Sequence, residues 1–125
     1  MLKYSRQREC IKDNLNNRFD HPTAEMVYDD IRKEYPNVSL GTVYRNLTLL
    51  ADLGEIMKIP TGSGPDRFDG NVSPHCHFLC KKCGKVSDLS LDIQPRIVRE
   101  ASKKFTGVID SSQVSFFGTC PECEQ

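Results

Sequence analysis

Four cysteines in two Cys-x-x-Cys pairs, Cys80–Cys83 and Cys120–Cys123, constrain this chain more than any other feature. A tight turn inside each pair aims two sulfurs at one point, and two such pairs supply the four thiolates of a tetrahedral ion. Four thiolates leave no open position for water, so the site reads as structural, with Zn(II) as occupant, and it pins the late segment back onto the middle of the chain. Disulfides or a redox dithiol are the alternatives. The start, Met1 to Arg8, has no apolar signal-peptide centre, which points to the cytoplasm, where thiols stay reduced and paired cysteines more naturally bind metal. Oxidation of these sulfurs is expected to release the metal and unfold its surroundings.

A chain of 125 residues allows one ordinary domain or two very small ones, with a modest core that a metal would reinforce. Seventeen Lys plus Arg balance seventeen Asp plus Glu, so net charge gives no argument for nucleic-acid binding and any basic patch must be local. No apolar run reaches the roughly eighteen residues of a membrane span.

Ser5 is placed to cap a first helix with Ile11 and Leu15 on one face, and a second begins near Thr23, with Ala24, Val27, Tyr28, Ile31 and Tyr35 aligned until Pro36. Ser39 caps a third, along which Leu40, Val43, Leu47 and Leu50 recur at helical spacing before Gly54. The segment 55–59, the turn-forming 61–65 and Arg67-Phe68-Asp69 then read as a hairpin. Three short helices followed by a hairpin predict a winged helix-turn-helix over residues 1–68. Residues 69–125 change character, with dense Cys and His, a helix carrying Ile93, Ile97, Ala101 and Phe105, and strands at Val108-Ile109 and 114–117. The expected class is α+β, the winged helix-turn-helix being followed by a small C-terminal α/β domain that holds the four-cysteine zinc site.

His75 and His77 alternate along a strand and point to one face, where they can share an ion. Asp69, Asp88 and His21 are the other candidate ligands. A nitrogen and oxygen set of five suits Fe(II) or Mn(II) better than a structural zinc. Each residue also has a plainer reading: His21 shapes a helix entry beside Pro22, Asp69 caps a turn, and Asp88 is a solvated strand end.

Across nearly its whole length the sequence resembles the ferric uptake regulator family, Fur. The match is carried by His21-Pro22-Thr23-Ala24, by Ser39 through Leu47 (SLGTVYRNL), by Arg67-Phe68-Asp69, by His75-Cys76-His77-Phe78-Leu79-Cys80, by Cys83-Gly84-Lys85 and by the final cysteine pair. The resemblance implies a homodimeric, metal-dependent transcription repressor with a DNA-binding winged helix and a dimerisation domain closed by zinc. It also puts His21, Asp69, His75, His77 and Asp88 on the regulatory metal positions of the peroxide-responsive branch, PerR, with Asp69 the discriminating residue. There Fe(II) and hydrogen peroxide lead to oxidation of a ligating histidine, by match His21 or His75, while Mn(II) gives a peroxide-resistant repressor. The family usually carries a further helix ahead of Ser5-Arg6-Gln7-Arg8, close to which this sequence begins. Pro74 and Cys76 stand where iron-uptake regulators often have His and Asp, and 111–119 contains no His, so a third metal site is expected to be missing.

In a winged helix the third helix enters the major groove, where Tyr44, Arg45, Asn46 and Thr48 are the expected base-reading residues. Lys3, Arg6, Arg8, Lys12 and Arg18 against Glu9 and Asp13 form a local basic patch for phosphates, with Lys58 on the wing adding to it. The partner is then double-stranded DNA bearing an inverted repeat. The expectation is a repressor that is not an enzyme. An iron- or manganese-responsive uptake regulator is the first alternative, and a metallohydrolase on Asp69, His75 and His77 is the more distant one.

Overall fold

The computed structural model describes residues 5–62, 64–73 and 75–124, in two compact units that divide after Val72. The first contains α1 (Arg6–Asn16), α2 (Ala24–Ile31), α3 (Leu40–Asp52), β1 (Met57–Ile59) and β2 (Arg67–Asp69). Each helix starts where a hydroxyl can satisfy an orphan backbone N–H: Ser5 accepts from Arg8, Thr23 from Met26 and Ser39 from Thr42. Gly54, at φ 75°, takes the left-handed conformation that closes the end of α3.

The α2 ladder ends at Ile31, short of Pro36, because it loosens into three-residue bonds, Lys33 N to the Asp30 carbonyl and Glu34 N to the Ile31 carbonyl. Ile11, Leu15, Val27, Val43, Leu47 and Phe68 meet in one core, each large side chain contributing roughly 1.5–3 kcal/mol through burial. β1 and β2 pair antiparallel, Met57 opposite Asp69 and Ile59 opposite Arg67, which completes the winged helix-turn-helix. Asp69 therefore belongs to the first unit's hairpin, and Gly70 follows it so closely against α1 that a Cβ there would lie 2.9 Å from Asn16 and 3.0 Å from the Leu15 backbone.

The second unit contains β3 (Cys76–Cys80), β4 (Val86–Leu89), α4 (Gln94–Lys103), β5 (Ser115–Gly118) and α5 (Pro121–Glu124). β3 is central, antiparallel to β4 and parallel to β5. The strand expected at Val108-Ile109 is not formed: among the described residues no strand lies there, and Val108 is 83% exposed. A β-branched pair with no neighbour to complete its hydrogen bonds stays irregular. Phe105 lies beyond the end of α4, and of that helix only Gln94 is buried. No helix among the described residues is long and apolar enough to cross a membrane.

Candidate metal centres and nucleic-acid interface

β3 ends on Cys80, the turn that follows carries Cys83 and closes at Gly84 with φ 78°, β5 leads into Cys120, and α5 carries Cys123. The four sulfurs lie within 4.8 Å of one another, and those of Cys83 and Cys120 are 3.7 Å apart. Tetrahedral zinc with bonds of about 2.3 Å sets its sulfurs about 3.8 Å apart, so the cluster fits that ion. Backbone N–H groups of Cys83 and Cys120 point at the Cys80 sulfur from 3.5 and 3.4 Å and hold its pKa down to about 6. Crowding by the Cys120 and Cys83 sulfurs pushes Cys123 up to about 12, and burial raises Cys120. Sulfurs this close cannot all ionise without a cation among them, and a divalent ion relieves that conflict.

The nitrogen and oxygen donors are described unit by unit. In the first, His21 and Asp69 are buried and His21 Nε2 lies 3.4 Å from Asp69 Oδ2. In the second, His77 sits inside β3 opposite Asp88 on β4. Asp88 Oδ1 is 3.2 Å from His75 Nε2 and 3.4 Å from His77 Nε2, and the imidazoles meet edge to face at 4.4 Å. His75 Nδ1–H donates to the Ser73 carbonyl at 2.6 Å, which leaves Nε2 as the nitrogen with a lone pair. Its peptide carbonyl accepts from Gln94 Nε2 at 2.5 Å. Gln94, which sequence reasoning passed over, carries no signal beyond its position at the start of an amphipathic helix.

On α3, Tyr44 and Arg45 are exposed, Arg45 donating to the Thr42 hydroxyl at 3.1 Å. Asn46 is half-buried and its amide donates to the Thr42 carbonyl. Thr48 departs from the expected groove-facing set: its hydroxyl oxygen is buried because the residue turns toward the inner side of the helix. The basic patch is also smaller than its charges suggest. Lys12 is held by Glu55 at 2.6 Å, Arg18 by Asp20 and Asp30 at 2.7 and 3.0 Å, and Lys58 by Asp66 at 3.5 Å. Arg6 is exposed and Arg8 half-buried, while Lys3 lies outside the described residues.

A winged helix-turn-helix followed by a small α/β unit with a tetrathiolate cluster defines a class of DNA-binding regulator built around metal. The chain belongs to the ferric uptake regulator family, whose model matches residues 1–117. Members of that family are transcriptional regulators, and this chain is a regulator and not an enzyme. It is 30% identical over 123 residues to the peroxide-responsive repressor PerR of Staphylococcus aureus, covering 98% of this chain and 83% of that protein. Among solved structures it is similar to the Campylobacter jejuni peroxide stress regulator, with a TM-score of 0.81 and 32% identity, over 94% of this chain and 88% of that one. It is similar also to the Helicobacter pylori ferric uptake regulator Fur, described as having three functional metal binding sites, with a TM-score of 0.82 and 28% identity, over 99% and 83% of the two chains.

Proposed function

We propose that this chain is a cytoplasmic, homodimeric repressor that senses hydrogen peroxide through oxidation of a metal-ligating histidine. The observation that carries the reading is the segregation of donors. One cluster is sulfur only, while the pair His21–Asp69 and the trio His75–His77–Asp88 offer nitrogen and oxygen alone. Sulfur with four ligands suits a closed zinc, whereas nitrogen and oxygen in a set of five suit an exchangeable Fe(II) or Mn(II).

His21 and Asp69 from the first unit, with His75, His77 and Asp88 from the second, would hold that ion. Fe(II) held by these residues would supply redox chemistry toward hydrogen peroxide, the overall change being that peroxide gives one oxygen atom to an imidazole carbon of His21 or His75 and leaves as water, so that peroxide is the two-electron oxidant and the histidine the group oxidised. Because ligands come from both units, the ion favours one mutual arrangement by its difference in affinity for the alternatives, and a damaged ligand forfeits that difference. Tyr44, Arg45 and Asn46 on α3 read bases while Arg6 and Arg8 meet phosphates of an inverted-repeat duplex. A second copy covers the apolar groups that the second unit leaves open, Ile97 and Phe105 by α4 and Phe116 and Phe117 on β5.

The test loads the zinc form with Fe(II) or Mn(II), adds peroxide, and follows binding to an inverted-repeat duplex selected in vitro with the Mn(II) form. Release of DNA by the iron form only, with a one-oxygen gain on His21 or His75 in peptide mass spectra, is expected. Unchanged binding with no oxygen on either histidine would favour the second reading, an iron- or manganese-responsive uptake regulator. The likeness to Helicobacter pylori Fur supports that reading.

A further inference from the structure

The peptide of His21 is held more firmly than a surface turn requires. Its φ is 51°, a left-handed conformation that a residue other than glycine keeps only where its surroundings over-determine it. The surroundings here are the strand β2. Arg67 Nη1 donates to the His21 carbonyl at 3.1 Å, Phe68 N donates to the Pro22 carbonyl at 2.9 Å, and Arg67 forms an antiparallel bridge with Thr23. The last residue of the strand, Asp69, faces His21 Nε2. Residues 21–23 thus line the edge of β2 that β1 leaves open, and Thr23 passes the constraint on as the cap of α2.

We propose that Arg67 is a positioning residue of the regulatory metal site, fixing the His21 peptide and hence its imidazole while tying both to the wing. This rests on the reading of His21 as a ligand. A guanidinium has no lone pair, so Arg67 holds no metal itself; it acts through a charge-assisted bond, stronger than a neutral one. Without that bond the left-handed peptide relaxes and carries Nε2 away from Asp69. The coupling runs both ways, because Arg67 is also paired with Ile59 in β1. A change at His21 therefore reaches the hairpin backbone directly, and the hairpin is a DNA-contacting part of a winged helix.

The zinc-loaded full chain is compared with Arg67→Met and Arg67→Lys. Two quantities are read: Mn(II) affinity, from the electron paramagnetic signal of free ion, and the ratio of one-oxygen products on His21 and His75 after saturating Fe(II) and peroxide. Arg67→Met is expected to weaken Mn(II) binding about 10- to 100-fold and to shift oxidation from His21 toward His75. Arg67→Lys, which keeps a donor, recovers part of both. A general loss of structure would lower both products together, so the ratio separates positioning from folding. Wild-type affinity and ratio in Arg67→Met would overturn the proposal, and should that variant not fold, the same result in Arg67→Ala, which also lacks the donor, would do so. Absence of oxygen on both histidines in the unsubstituted chain would instead sink the sensing function itself.

Discussion

His75 is oriented from two sides, its ring by the Ser73 carbonyl and its peptide by Gln94, whose Oε1 also accepts from Ser112 at 3.4 Å. Gln94→Ala removes the second support, and Mn(II) affinity is expected to fall about tenfold with zinc content unchanged, as read by metal titration and elemental analysis. Unaltered affinity would show that the β3 backbone alone holds the ring. At this scale the sequence was legible wherever a side chain's role follows from spacing. His75 and His77 on one face, and Asp69 at the end of the hairpin, needed only strand alternation. Contacts from side chain to distant backbone, such as Gln94 to His75 and Arg67 to His21, carry no periodic signal, and the buried Thr48 hydroxyl depends on how α3 is rotated in the core. The remaining cysteines were equally opaque. Cys76 is fully buried, and burial with a neighbouring Glu34 pushes the Cys10 thiol up to about 11, so Cys10 is not primed as a thiolate near neutral pH.

The helices show where local chemistry suffices. Ser5, Thr23 and Ser39 are capping residues that the chain announces, whereas the early end of α2 and the missing strand at Val108-Ile109 depend on neighbours that no window of sequence contains. Joining α1 to α2 is Arg18, which hydrogen-bonds Asp20 and Asp30. The Arg18 hydrogen bond lowers Asp20 below its ordinary 3.8, and Asp30 is lowered first by Asn14 and then by Arg18. Carboxylates with depressed native pKa values stabilise the fold fully above 3.8 and lose that contribution as pH falls through the depressed values. Arg18→Met is therefore expected to destabilise the first unit at neutral pH, with the two proteins converging in acid. Urea midpoints followed by helical circular dichroism check this, and a gap that persists or widens in acid would refute it.

The two units differ in what holds them together. The first has an apolar core of three helices and a hairpin, legible from helical periodicity, and is expected to hold without metal. The second buries little besides β3, Val86, Gln94 and Cys120, so its stability is expected to rest on zinc. Chelation should abolish hydrogen-exchange protection in residues 75–124 while amides of α1 and α3 stay protected. Equal loss of protection in both units would show that the units are not independent in stability.

The order of strands in the second sheet has a bearing on how the protein is made. β3 occupies the middle, yet its parallel neighbour β5 and the last two metal-binding thiols lie about forty residues downstream. Translation proceeds at about 5–20 residues per second, so the DNA-reading half can mature on the ribosome seconds before its companion is able to close. During that interval Cys80 and Cys83 emerge without their counterparts, and the nascent chain meets oxidants with half of its metal clasp still unwritten.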